Sequence, residues 1–287
     1  AGTEFLGYFP NLPECALESR KLGLVTPEGV CELKQKTQLL AGKAEQFINI
    51  SRMLVLSESR QLTDLAEMPA KRFHGVRIAV ARDAAFSFIY RDNIRFLEHL
   101  GAEIIYFSPI NDVKTPDGIN GLMLFGGYPE LFAEKLSENR SMMQSIKEKI
   151  KSGLPTIAEC GGFMYLHDTL AIDDKHTYPM VGIIPGKAFP TAKLQRFGYV
   201  RLYAKENNLL CNKNEELLAH EFHYWDSENC GSGFKAVKES SGKQWDCVHA
   251  KDNMYAGFPH LYFYANLSAA LRFIETCYKF GGNNDIR

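Results

Sequence analysis

A cysteine followed by two glycines is the feature of this sequence that most suggests chemistry. In PTIAECGGFMYL (155–166), Cys160 ends a short apolar run, and Gly161 and Gly162 follow it directly. A nucleophile on a strand-to-helix turn needs small neighbours, because the turn is sharp and the attacking atom must stay exposed. A helix predicted over GFMYLHDTL would direct its N-terminal amides at the sulfur and favour the thiolate. The pattern predicts a nucleophilic cysteine, and a buried structural cysteine is the simpler alternative.

A second pair of glycines lies where a developing oxyanion would need hydrogen-bond donors. A thiolate that attacks a carbonyl group requires backbone N–H groups to stabilise the charge that forms on the oxygen. Gly126 and Gly127, in LFGGYPE, end a predicted strand, and functional loops gather at the carboxyl ends of parallel strands. We therefore expect these glycines beside Cys160. A simple turn before the following helix would explain them equally well.

Three histidines are candidates for the general base that such a thiol requires. His220 and His223 lie in AHEFHYWD, and His260 lies in AGFPHLYFYAN. The first two have H-E-x-H spacing rather than the H-E-x-x-H of zinc peptidases, and no third ligand is evident, so we predict no metal site. The residue types alone do not decide between His220 and His260 as the base. HEFHYW is also typical of a buried strand end with satisfied imidazoles.

The elements that must position these groups alternate between strands and helices. Apolar runs predict strands, and helical apolar spacing predicts helices, at 76–82, 86–102, 103–109, 119–127, 142–153 and 154–159. This alternation predicts an α/β fold with a doubly wound, mostly parallel sheet. Residues 76–287 form one predicted domain. Residues 1–75 contain a predicted helix near 31–49 but no complete βαβ unit, so we treat them as a separate segment.

Composition and charge argue against several classes of function. The 33 basic and 34 acidic residues leave a net charge of −1, which gives no electrostatic reason to expect nucleic acid or an anionic membrane as a partner. No apolar stretch approaches the length that spans a bilayer, and the N-terminus does not have the pattern of a signal peptide. The seven cysteines are irregularly spaced and include no C-x-x-C pair. They predict neither a zinc site nor a disulfide framework, and they favour the reducing cytoplasm.

Five segments carry a resemblance to a known family. GGYPE, AECGGFMYL, GYVRL, HEFHY and FPHLYF, in this order and spacing, resemble the glutaminase domain of the cobyrinic acid a,c-diamide synthase family. That family belongs to the class I, cysteine-dependent glutamine amidotransferases, whose domain has a flavodoxin-like α/β fold. The resemblance runs from about Val76 to the C-terminus. LGYFP and ESRKLGLV extend it into 1–75, which it identifies as the remnant and linker of an ATP-dependent synthetase domain.

The resemblance implies a reaction in two parts. The glutaminase site cleaves the side-chain amide of glutamine through a γ-glutamyl thioester, and this step needs no cofactor. The ammonia then amidates the a and c carboxylates of cobyrinic acid at a synthetase site that uses ATP and Mg²⁺. Carried over by position, Cys160 is the nucleophile and His260 is the base. The expected substrate contacts come from the remaining motif residues, which are Gly126, Gly127 (in the oxyanion loop), Gly161, His220 and His223.

This sequence departs from the family pattern in several places. Tyr262 stands where many class I members carry a glutamate two residues after the histidine, so we expect a Cys–His dyad. Ala158 replaces a common glycine, and Trp225 stands where a small hydroxyl residue is usual. No G-x-x-x-x-G-K-[ST] motif occurs, so we expect the nucleotide site to lie outside this chain, in an N-terminal synthetase domain.

Two alternative functions share the same motifs. One is the related nickel-sirohydrochlorin a,c-diamide synthase, which differs in the tetrapyrrole and its metal. The other is a glutaminase-like fold without catalysis that serves as a binding domain. The presence of both Cys160 and His260 argues against the second alternative.

Overall fold

The computed structural model describes residues 2–17, 29–58, 69–70 and 73–282. The ESRKLGLV segment lies outside these ranges. By its internal contacts the chain divides into two units, Ala1–Met68 and Pro69–Arg287. The identification of the first unit as a synthetase remnant stays a prediction.

Two helices form half of the described part of the first unit. They are α1, Leu33–Phe47, and α2, Ile50–Ser57. Asn49 begins α2 as its cap, because its side chain accepts a hydrogen bond of 3.0 Å from the Arg52 amide. Arg52 also forms an ion pair of 2.8 Å with Glu4. The helix predicted near 31–49 is confirmed.

Strands and helices alternate in the first half of the second unit, and strands dominate its second half. In chain order the strands are β1 Arg77–Ala81, β2 Glu103–Phe107, β3 Gly121–Leu124, β4 Thr156–Glu159, β5 His167–Ala171, β6 Thr177–Pro179, β7 Ile184–Pro190, β8 Arg196–Ala204, β9 Glu216–His223, β10 Trp225–Ser227, β11 Phe234–Lys238, β12 Gln244–Cys247, β13 His249–Lys251, β14 Met254–Gly257 and β15 His260–Leu261. The helices are α3 Arg91–Leu100, α4 Ala133–Glu138, α5 Arg140–Lys151, α6 Gly161–Tyr165 and α7 Leu267–Phe280.

A six-stranded sheet forms the centre of this unit. Its order is β13-β14-β4-β3-β1-β2, and every neighbouring pair is parallel except β13 and β14. The chain runs outward from β1 to β2 and then returns across β1 to β3 and β4, so the winding direction reverses between β1 and β3. Ligands of open α/β sheets bind at the carboxyl ends of the strands beside such a reversal. The predicted doubly wound, mostly parallel sheet is confirmed.

Helix α3 begins later than its apolar spacing predicts. Residues 86–90 lie outside any helix, and Phe88 donates a backbone hydrogen bond of 3.0 Å to Gly126. The side chain of Asp83 accepts from the Ala85 and Phe86 amides and fixes the turn after β1. This loop therefore lies against the glycine pair at the end of β3.

The two further sheets of the unit were not predicted. One is a four-stranded mixed sheet, β10-β7-β5-β6, in which β5 and β7 are parallel, and the other is a five-stranded antiparallel sheet, β12-β11-β8-β9-β15. The helix predicted over GFMYLHDTL is wrong beyond its first turns, because α6 ends at Tyr165 and β5 begins at His167. The backbone carbonyls of Leu166 and His167 accept hydrogen bonds from the chain at 182–184, which holds this segment extended.

No helix in the described ranges is both long enough and apolar enough to cross a lipid bilayer.

Candidate active site

Cys160 lies on a strained turn directly after β4, in the middle of the central sheet. Its φ of 48° and ψ of −104° are sparsely populated by residues that carry a side chain. The Cys160 amide donates to the Gly257 carbonyl at 2.8 Å, and its carbonyl accepts from the Met164 amide at 2.9 Å. The backbone is therefore held from both sides, with the thiol at the bend. This is the geometry that presents a nucleophile above a parallel sheet.

The two glycines after Cys160 have separate structural reasons. A Cβ atom at Gly162 would lie 2.0 Å from the Leu124 carbonyl oxygen, so α6 can pack against β3 only without one. A Cβ atom at Gly161 would lie 2.9 Å from Pro129 Cδ and 3.0 Å from the Gly127 amide nitrogen. A side chain at position 161 would therefore cover the Gly127 N–H group.

The Gly126–Gly127 loop is the structural neighbour of the thiol, as predicted. A Cβ atom at Gly126 would lie 3.5 Å from Cys160 Cβ and 2.8 Å from His260 Cε1. No hydrogen bond within the described ranges uses the Gly127 amide. The amide of Gly161 is the first of α6 and has no acceptor within the helix. Two backbone donors are thus available beside the cysteine for an oxyanion.

His260 supplies the imidazole at this site. It begins β15 and is buried, with 8% of its surface exposed. Burial by itself would lower the pKa of this imidazole. Interactions with Cys160 and Glu159 outweigh that effect and raise the pKa of His260 to about 10. The site therefore favours a protonated imidazole beside the sulfur.

Glu159 is the residue of this site that the sequence analysis missed. Its side chain is 1% exposed, and its Oε1 accepts a hydrogen bond of 3.1 Å from the Leu261 amide. Its Oε2 lies 3.5 Å from His260 Nδ1. Tyr262, at the position where class I members often carry a glutamate, instead donates its hydroxyl to Asp92 at 3.2 Å. An acidic residue at the end of a fully buried strand was the available signal.

The structure brings His220 to His260 and leaves His223 apart from both. His220 is the direct antiparallel partner of His260 across β9 and β15, and such partners have side chains on the same face. His223 lies an odd number of positions from His220 along β9, so its side chain is on the other face. This alternation also prevents H-E-x-H from converging on a metal. In the parts of the chain that are described, no cluster of three or more potential ligands could hold one.

His220 and His223 also have different environments. His220 is half-buried against the rings of Phe197 and Tyr199, and burial together with the charge on His260 lowers its pKa. His223 is buried and stacks on Phe258 with ring centroids 3.9 Å apart. Burial lowers the pKa of His223 to about 4, and its Nδ1 donates to the Trp225 carbonyl at 2.6 Å. His223 is therefore a neutral core residue.

A cavity of about 690 Å³ opens beside the imidazole of His260. This volume is in the range that accommodates small-molecule ligands. Aromatic rings and His220 form much of its wall, with Arg91 and Asp92 also lining it. Besides Arg91 and Asp92, the lining residues include Tyr90, Tyr199, Leu218, His220, Tyr262 and His260. Part of this cavity is therefore directly accessible to the predicted base.

A strained cysteine follows a central parallel strand, an imidazole comes from a second strand, and a free backbone amide lies after the end of a third strand. This fold and site define a cysteine-dependent amidotransferase of the α/β class. Residues 77–267 match the CobB/CobQ-like glutamine amidotransferase domain, and the chain belongs to that family. The predicted family resemblance is confirmed.

Among similar proteins is the cobyrinate a,c-diamide synthase of Caldanaerobacter subterraneus, which is 36% identical over 280 residues covering 97% of this chain and 62% of the relative. The cobyrinate a,c-diamide synthase of Listeria innocua is 38% identical over 267 residues covering 91% of this chain and 59% of the relative. The chain thus spans roughly three-fifths of the length of these relatives. The structure of PurLQS from Thermotoga maritima covers 71% of this chain and 98% of its own, with 16% identity and a TM-score of 0.48.

Proposed function

We propose that this chain hydrolyses glutamine at Cys160 and that the ammonia serves the amidation of the a and c carboxylates of cobyrinate by the whole protein. The observation that carries the first part is the strained Cys160 with His260 beside it. Family membership and the names of the relatives support the second part.

The first half of the reaction forms a thioester. The Cys160 sulfur attacks the side-chain carbonyl carbon of glutamine, and the electrons of the C=O double bond move onto the oxygen. The amides of Gly127 and Gly161 stabilise this oxyanion. The protonated His260 gives its proton to the amide nitrogen, the C–N bond breaks and ammonia leaves. The products of this half are ammonia, a γ-glutamyl thioester and a neutral imidazole.

The second half releases glutamate and restores the enzyme. Neutral His260 takes a proton from a water molecule, whose oxygen attacks the thioester carbon. The same backbone amides stabilise the second oxyanion. The C–S bond then breaks, and the Cys160 sulfur leaves as a thiolate beside the imidazolium. No cofactor takes part in either half.

The ATP-dependent step belongs to the part of the whole protein that lies outside this chain. The residues here do not fit a nucleotide and its Mg²⁺: the sequence has no G-x-x-x-x-G-K-[ST] loop, and no ligand cluster occurs in the described ranges. We therefore assign no residue of this chain to ATP. All seven cysteines are free, which is consistent with our placement of the activity in the reducing cytoplasm.

A mechanism-based label tests the glutaminase proposal directly. The 287-residue chain should form a covalent adduct at Cys160 with 6-diazo-5-oxo-L-norleucine, a glutamine analogue, and should release glutamate from glutamine. Cys160→Ala should do neither. A folded wild-type chain that gains no adduct at Cys160 and forms no glutamate would reject the proposal in favour of a non-catalytic binding domain.

The acceptor is tested with the full-length protein. We expect it to add two amides to cobyrinate when it is supplied with glutamine, ATP and Mg²⁺, as two successive mass changes. A parallel reaction with nickel-sirohydrochlorin separates the related synthase. Preferential amidation of nickel-sirohydrochlorin would overturn the choice of cobyrinate.

A further inference from the structure

We propose that Glu159 is the positioning residue for His260, holding its Nδ1 so that Nε2 is directed at Cys160. This inference rests on the proposed glutaminase function and deepens it. It replaces the expected Cys–His dyad with a group of three, whose carboxylate comes from the residue directly before the nucleophile.

The two oxygens of Glu159 contact two consecutive residues of β15. Oε1 accepts from the Leu261 amide at 3.1 Å, and Oε2 lies 3.5 Å from His260 Nδ1. One carboxylate therefore fixes both the backbone of β15 and the imidazole that begins it. Because Glu159 is 1% exposed, water does not compete for either contact.

A structural hydrogen bond to Leu261 accounts for only one of these oxygens. Oε2 is buried and makes no hydrogen bond within the described residues, so His260 is its one ion-pair partner there. A buried carboxylate without a compensating cation is strongly unfavourable. The phenol groups of Tyr90 and Tyr255, which also lie near Glu159, carry no positive charge. The protonated imidazole is the group that compensates this charge.

Ring orientation follows from this contact. With Nδ1 facing Glu159, Nε2 is the nitrogen left for the sulfur of Cys160, whose interaction with the ring helps to raise the pKa of His260. During hydrolysis of the thioester the neutral ring must keep its proton on Nδ1 and offer the Nε2 lone pair to water. A carboxylate at Nδ1 selects that tautomer, as the aspartate of a serine protease does.

The position that carries a carboxylate in many class I members has none in this chain. Tyr262 stands two residues after His260, and its hydroxyl is bonded to Asp92 at 3.2 Å. Glu221 on β9 is another acidic side chain, and its pKa is influenced by the charge on His260. Within the described residues it forms no ion pair with the ring. His220 and His223 bring no negative charge to the ring; the pKa of each is lowered by burial and, to a smaller extent, by the charge on His260.

Glu159→Gln is the main test, because glutamine keeps the shape and the acceptor for Leu261 but loses the charge. We expect kcat/KM for glutamine to fall by about 10²- to 10⁴-fold, by analogy with the asparagine variant of a serine-protease triad. The pKa of His260, followed by nitrogen-15 NMR, should fall, because the imidazolium loses its opposite charge. Glu159→Asp keeps the charge and should recover part of both losses.

Glu221→Gln is the matched control. Glu221 is another buried glutamate with an unpartnered Oε2, 2% exposed, but it does not contact the His260 ring. In this variant the pKa of His260 should fall by less than half as much as in Glu159→Gln. Equal shifts in the two variants would mean that general loss of negative charge, and not the ring contact, is responsible, and would overturn the proposal.

A second measurement keeps the proposal testable if Glu159→Gln fails to fold. Nitrogen-15 NMR of wild-type His260 should show that the ring, once it becomes neutral above the titration near 10, keeps its remaining proton on Nδ1. A neutral ring protonated only on Nε2 would overturn the inference. So would a folded Glu159→Gln with an unchanged kcat/KM and an unchanged pKa of His260. A wild-type chain that the glutamine analogue does not label would instead reject the glutaminase function itself.

Discussion

Gly126→Ala should separate the base from the nucleophile with a single methyl group. The added Cβ would lie 2.8 Å from His260 Cε1 and 3.5 Å from Cys160 Cβ. Gly126 is not among the glycines with positive φ, so its backbone conformation accepts alanine without strain. The clash falls on the imidazole, which must retreat by about 0.6 Å to reach the closest ordinary contact distance of 3.4 Å.

The imidazole cannot retreat freely, and this sets the size of the effect. Glu159 holds Nδ1, and the pairing of β15 with β9 holds the backbone of His260. Misplacement of a reacting group by 1 Å can reduce a rate by about 100-fold. We therefore expect kcat/KM for glutamine to fall by about 10- to 100-fold, or roughly 1.4 to 2.7 kcal/mol. Overpacking should lower the free energy of unfolding by about 1–3 kcal/mol.

Gly121→Ala, at the start of β3, separates the loss of activity from the loss of stability. Its Cβ would lie 2.6 Å from Cys277 Sγ and 3.4 Å from Phe273, in the core at the opposite end of β3. Urea unfolding should show a similar loss of stability in both variants, while glutamate release per folded molecule should fall only in Gly126→Ala. Wild-type kcat/KM in Gly126→Ala, or an equal loss in Gly121→Ala, would refute the proposed contact between Gly126 and the base.

Three further predictions concern the thiols and the histidines. Brief iodoacetamide treatment at neutral pH should label Cys160 well before Cys211, because burial raises the pKa of Cys211 to about 12; mass-spectrometric mapping checks this order, and faster labelling of Cys211 would contradict it. His260→Ala should reduce glutamine turnover by about 10²- to 10⁴-fold, and His220→Ala by much less; the reverse order, in variants with normal circular dichroism, would move the base to His220. His223 has its pKa lowered to about 4, so the folded state binds fewer protons than the unfolded state, and stability should fall as the pH drops from 6.5 towards 4. Urea titrations at pH 7 and 5 should show a loss of about 2 kcal/mol from this residue, and His223→Gln should make the pH dependence shallower; an unchanged slope would count against a neutral His223.

The parallel half of the fold could be predicted because its sequence pattern is local. Strands such as β3 and β4 are short and buried throughout, and the helices between the strands have clear apolar spacing. The largely antiparallel half was missed because polar and apolar residues are mixed along its strands. In β8 the intermediate and exposed positions outnumber the buried ones, so the segment lacks a continuous apolar run. Helix α6 was extended too far because its end depends on pairing with residues more distant in the chain.

The candidate site could be predicted as far as its local motif extends. The turn at Cys160 and the small residues after it are encoded within a few positions, and the structure supports each of them. The choice between His220 and His260 was beyond the residue types, because the two are direct partners on neighbouring strands. Their difference lies in burial and in the contact with Glu159. That contact joins residues far apart in the chain, which no spacing reveals.

The strained backbone of Cys160 also explains how two consecutive residues reach one imidazole. Successive side chains of a regular strand point to opposite faces, so an extended chain would place Glu159 and Cys160 on opposite sides of the sheet. Both nevertheless interact with His260. The change from extended backbone in β4 to a φ of 48° at Cys160 interrupts the alternation and brings the sulfur to the ring that the carboxylate already holds. The strained turn therefore brings together the three groups of the proposed site, which is a physical reason for a residue other than glycine to adopt this conformation here.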